Sequence, residues 1–147
     1  MIEQMTTESE QVWYDYHMGR IQRELTEEEK KEIRACDFAM HLLISTNYLV
    51  DFMKEYLLSP NDDFYEFIHY LNHGHSFDVE ESIAILAEEF RVDKMVMRIK
   101  LLYLEHSIEA YLEKKKEKNG GRHEISVCTF IYSINWFDCI RCVSDVL

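Results

Sequence analysis

The sequence predicts an all-α fold, a single compact multi-helix domain containing a helix-turn-helix-like pair, and three observations carry that expectation. Only four Gly and one Pro occur in 147 residues, too few for a β-rich chain, whose hairpins need positive-φ or fixed-φ positions every ~8–12 residues. Apolar residues recur at i, i+3, i+4 and i+7 in several stretches. Side chains suited to opening a helix stand directly ahead of those stretches. The length matches one domain with one core, so residues 1–147 are read as one unit.

Residues 10 to 25 mix Val12, Trp13, Tyr16, Ile21 and Leu25 with charged neighbours, an irregular helical face. Thr26 and Glu29 have capping-box spacing, and Glu27 to Glu29 place negative charge in a first helical turn. The helix they open runs through Ile33, Cys36, Met40 and Leu43, with Ala35, Ala39 and Leu42 widening its apolar face. Leu49 to Leu58 reads as another apolar helix, stopped by the turn Ser59-Pro60-Asn61-Asp62. Asp62 or Asp63 then caps a short helix with Phe64, Phe67, Ile68 and Leu71 on one face, which stops before Gly74.

Asp78 and Glu81 repeat the capping-box spacing ahead of Val79, Ile83, Leu86, Ala87 and Phe90. The pattern breaks at Arg91 to Asp93 and resumes at Val96, Ile99 and Leu102, which predicts two short helices joined by a tight turn. A separate charged helix is expected from Ser107 to Lys118, ending at Asn119-Gly120-Gly121. The segment 125–147 is rich in β-branched and aromatic residues and is ambiguous between strand and helix, with helix preferred. Its polar stripe Asn135, Asp138, Arg141 and Asp145 argues against a membrane span.

The formal charge of −12 opposes contact with nucleic-acid phosphate. Residues 80–103 place Lys94, Arg98 and Lys100 on the second helix of the pair, against Glu80, Glu81, Glu88 and Glu89 on the first. That balance favours a protein partner, with Lys94 and Arg98 as candidate contacts. The first ten residues lack the basic and apolar regions of a secretory signal, so a cytoplasmic protein with Cys36, Cys128, Cys139 and Cys142 reduced is expected.

Chemistry-bearing patterns are few. His69 and His73 are spaced i, i+4 and His75 follows, the one cluster with metal-ligand spacing, although histidine is also at home at a helix end. Cys139-Ile140-Arg141-Cys142 with Cys128 lacks a fourth ligand and reads as structural thiols. No phosphate loop and no nucleophile–base pair is identifiable. The apolar residues of 125–147 must be covered, either by the domain body or by a second copy through Trp136 or Phe137 in a homodimer.

The run Glu32-Ile33-Arg34-Ala35-Cys36-Asp37-Phe38-Ala39-Met40-His41-Leu42-Leu43-Ile44 resembles the Glu-x-x-Ala-x-x-Phe-Ala-x-x-Leu-Leu-Met-Pro helix of ImmA/IrrE-type metallopeptidases. Ile83 to Val92 with Val96, Arg98, Ile99 and Leu102 is similar to the helix-turn-helix that follows it in that family, so the likeness spans residues 29 to 104. The family's His-Glu-x-x-His helix is missing, and Ser45 stands where the family has Pro. The resemblance therefore implies a truncated or degenerate relative that lost the chemistry. It also implies a repressor or toxin–antitoxin component of a bacterium or phage as partner. Glu32 matches the family's third zinc ligand, and its plain reading is an exposed first-turn carboxylate.

The reading is thus a non-catalytic regulatory or protein-interaction protein needing no cofactor. The first alternative is a zinc peptidase with an unusual ligand set, Glu32 with His69, His73 and His75. The second is a helix-turn-helix DNA-binding regulator.

Overall fold

A computed structural model describes residues 8–119, and its elements are α1 (Glu8–His17), α2 (Glu27–Leu43), α3 (Thr46–Tyr56), α4 (Phe64–His73), α5 (Phe77–Phe90) and α6 (Lys94–Asn119). Among the described residues there is no strand, and the all-α expectation holds. The segment 125–147, with Trp136 and Phe137, lies outside the described residues.

Each boundary has a local cause. α1 stops at His17, short of the helical face suggested for residues 10 to 25, because Gly19 takes a left-handed φ of 72°. Arg20 N–H then returns to Asp15 O at 2.8 Å and Gly19 N–H to Tyr16 O at 3.2 Å, the paired bonds of a Schellman stop. Thr26 caps α2 as the sequence suggests, its hydroxyl accepting from Glu29 N–H and the Glu29 carboxylate accepting from Thr26 N–H. Ser45 interrupts the apolar run and caps α3. Asp63 caps α4.

One expectation is corrected at α5. Its N-cap is Ser76, whose Oγ accepts from Val79 N–H, so Asp78 lies within the first turn and caps nothing. α4 stops before Gly74 as the sequence suggests, and Gly74 is extended there, at φ −81° and ψ 154°, where it supplies room. A Cβ there would meet Tyr70 O at 2.7 Å and Val79 Cγ2 at 2.9 Å.

α5 ends at Arg91, left-handed at φ 55°, with Arg91 N–H bonded to Glu88 O and Val92 N–H to Ala87 O. Beyond this turn the second helix is not short. α6 runs unbroken for 26 residues through the point where a separate helix was expected at Ser107. No Gly or Pro lies between Lys94 and Asn119 to break it.

α6 organises the molecule, packing against α4, α5, α1 and α2. Its middle is covered on more than one side, since Met97, Ile99, Lys100, Leu101, Leu104, Glu105 and Ile108 are all buried. Around it lie Ile33 and Met40 of α2, Leu49 and Met53 of α3, Ile68 and Leu71 of α4, and Val79, Ile83 and Leu86 of α5. No helix among the described residues is long and apolar enough to cross a membrane.

Candidate functional site

Two polar clusters interrupt the core along α6. The first joins α4 to α6. Helical spacing sets His69 and His73 one turn apart on α4, with ring centroids 4.3 Å from each other. Both face Glu105 of α6, which is 2% exposed at its side chain, whereas the two histidines are about half exposed. His69 Nδ1 lies 2.9 Å from Glu105 Oε1, and His73 Nε2 lies 3.1 Å from each Glu105 oxygen. Asn72 fills the space between, its Nδ2 donating to Leu101 O at 3.0 Å and lying 3.5 Å from Glu105 Oε2.

One turn further along α6, Glu109 accepts from Tyr65 OH at 2.9 Å, and the Tyr65 ring lies 6.2 Å from that of His69. A carboxylate taken out of water is costly unless charge or hydrogen bonds compensate it. Glu105 meets that demand entirely with α4 side chains.

The second cluster joins α1, α2 and α6 around Asp37. Trp13 Nε1–H donates to Asp37 Oδ1 at 2.8 Å, Tyr103 OH donates to Oδ2 at 2.9 Å, and His17 Nε2 lies 2.8 Å from Oδ1. One turn on, His41 is buried with its Nδ1 2.9 Å from Lys100 Nζ. An ammonium group has no lone pair, so His41 Nδ1 is the acceptor and the ring proton sits on Nε2. Burial, reinforced by the Lys100 charge, pushes His41 down to about 4. Beside this cluster a cavity of about 350 Å³ opens between Tyr16, His17, Lys30, Arg34 and His106.

On the α3 and α5 surfaces lies a different feature, an aromatic groove of about 500 Å³ lined by Tyr48, Phe52, Tyr56, Leu57 and Ile85 with the carboxylates of Asp51, Glu55 and Glu89. Phe52 and Tyr56 rings are 4.7 Å apart, and Tyr48 OH donates to Glu89 at 2.6 Å. That bond holds the Tyr48 hydroxyl proton more tightly and raises its pKa. Tyr48 and Tyr56 remain 50% and 64% exposed, and Ile85 39%. No basic residue lines the groove.

The structure distributes the residues singled out from sequence as follows. His69 and His73 come together, and the partner they meet is Glu105, which sequence reasoning missed. Glu32 and His75 are not members of that cluster, so the ligand set of Glu32 with three histidines is not assembled. Glu32 is partly buried in the second turn of α2, which begins at Glu27, and so is not the exposed first-turn carboxylate expected, and His75 is exposed between α4 and α5, near Glu80. Arg98 is engaged within the chain, its Nη2 lying 2.7 Å from both Glu80 oxygens, and it holds the Glu80 carboxyl below the usual range. Lys94 is exposed at the start of α6.

No family model, curated protein or solved structure matches the chain.

Proposed function

We propose that this chain is a non-catalytic, cytoplasmic regulatory protein that acts by binding a basic protein partner through the groove on α3 and α5. The observation that carries the reading is the composition of that groove. Three carboxylates stand around exposed aromatic and aliphatic surface with no basic residue among them. Aromatic anchors ringed by charge of one sign suit a partner that presents apolar side chains among Lys and Arg. The net charge of −12 adds long-range attraction for a partner of that kind.

The resemblance of residues 29 to 104 to the helical half of ImmA/IrrE-type proteins agrees with this choice. It points to a repressor or toxin–antitoxin component, and DNA-binding proteins of the repressor type carry basic faces. An acidic groove complements such a face. Arg98 is already occupied by Glu80, which leaves the α3 and α5 surface as the better candidate for the contact than the start of α6.

The reading is tested by parallel capture from lysate of the source cells, using the wild-type chain and a Glu55→Lys, Tyr56→Ala variant at low and moderate salt. Support is a basic partner held by the wild type, released as salt rises, and absent from the variant. An identical set of proteins on both baits would contradict it.

A further inference from the structure

Glu105 is a buried carboxylate, and the groups it meets are two imidazoles and an amide from a single face of α4. One ring nitrogen of His69, one of His73 and a Glu105 oxygen all lie within 4.8 Å of one another. The closest pairs stand 2.9 and 3.1 Å apart. A tetrahedral zinc site with bonds of about 2.0–2.1 Å has ligand-to-ligand edges of roughly 3.3 Å. The two histidine–Glu105 edges therefore need to open by only a few tenths of an ångström, and the edge between the histidines, within 4.8 Å, needs to come to a similar length, for three corners of such a site.

We propose that His69, His73 and Glu105 form a binding site for a borderline divalent transition ion, zinc foremost, that clips α4 to α6. Ligand type selects the class of ion. Magnesium and calcium take oxygen donors almost throughout, whereas two neutral imidazoles with one carboxylate suit zinc and its first-row neighbours.

The surroundings are those of a built site. Asn72, itself tethered to Leu101 O, stands beside the second Glu105 oxygen in the position of an outer-shell partner. Further carboxylate charge comes from Glu109 one turn away. Both histidines remain half exposed, so the outer side faces solvent and the remaining coordination position falls to water or to a side chain of a bound protein. Neither the ion nor its role depends on the groove described above, which lies on other residues.

The alternative for the same atoms is a hydrogen-bonded network that never takes an ion, and titration separates the two. Tag-free, full-length protein stripped with chelator is titrated with zinc chloride by calorimetry and with cobalt(II) by visible absorption. One ion per chain is expected, with cobalt bands of four- or five-coordinate nitrogen–oxygen ligation. His69→Ala and His73→Ala are each expected to weaken zinc at least tenfold. Both side chains are half exposed, so these variants keep the fold, checked by circular dichroism, and they decide the matter even if Glu105→Gln does not fold. Absence of saturable binding would overturn the proposal. So would binding unchanged in the His69→Ala, His73→Ala double variant, which would place the ion on other donors such as the cysteines.

Discussion

His41 shows how much a single buried base constrains this core. Its ring is enclosed between α2 and α6, with Lys100 Nζ at 2.9 Å and the Tyr103 ring centroid at 5.1 Å. Protonation there means burying a second positive charge, and burial with the Lys100 charge lowers His41 to about 4 from 6.5, against a weaker opposing pull from Asp37. Below 6.5 the unfolded chain takes up a proton that the folded chain refuses, so stability falls as pH drops from 6.5 towards 4. The loss assignable to this residue is on the order of 3 kcal/mol. Urea denaturation from about pH 7 to about pH 4 checks it, with His41→Asn, which keeps an acceptor near Nδ1, expected to flatten the slope. An unchanged slope in that variant would move the titration to other groups.

Glu105 is legible in the sequence as a charge set within an apolar stripe. Leu101, Leu104, Glu105 and Ile108 stand at i, i+3, i+4 and i+7, so Glu105 occupies a core slot of an apolar stripe. A charge in phase with the core demands a partner, but periodicity names no partner on another helix. His69 and His73 were visible as a pair because both lie on one helix.

Among the elements, start signals built from adjacent residues were the most readable. The Thr26 and Glu29 box, the Ser45 interruption and the Asp63 cap each act through bonds spanning three residues. Asp78-x-x-Glu81 carries capping-box spacing, whereas Ser76 caps through the Val79 backbone N–H, which no side-chain pattern marks, and the turn after Gly74 decides between them. Ser76→Ala is expected to cost about 1 kcal/mol in chemical denaturation, and Asp78→Ala less than about 0.5 kcal/mol. The reverse order would restore Asp78 as the cap.

Gly74→Ala drives a Cβ against Tyr70 O and Val79 Cγ2. It is expected to lower stability by about 1–3 kcal/mol, as overpacking does. An alanine variant of wild-type stability would show that the α4–α5 turn relaxes freely. The 26-residue span of α6 was read as two helices because a helix buried on several sides loses the single apolar stripe by which one element is followed. Ser107, the expected first residue of a separate helix, is a half-buried residue inside α6.

For the molecule as a whole, α1, α2, α4 and α5 pack on α6 within the described residues, and the full chain carries a formal net charge of −12. Fold class followed from scarce turn residues and 3.6-residue periodicity, which are properties of the chain itself. The groove on α3 and α5 did not, since it joins residues far apart in the chain, such as Tyr48 and Glu89 at a separation of 41.

Occupancy of that groove is the point on which the functional reading stands. Once a partner has been captured, amide hydrogen exchange of the chain, free and bound, tests it most directly. Protection on binding is expected to concentrate in Thr46–Tyr56 and Phe77–Phe90 and to disappear for the Glu55→Lys, Tyr56→Ala variant. Protection confined to Lys94–Asn119 or to α1, with α3 and α5 unchanged, would contradict it.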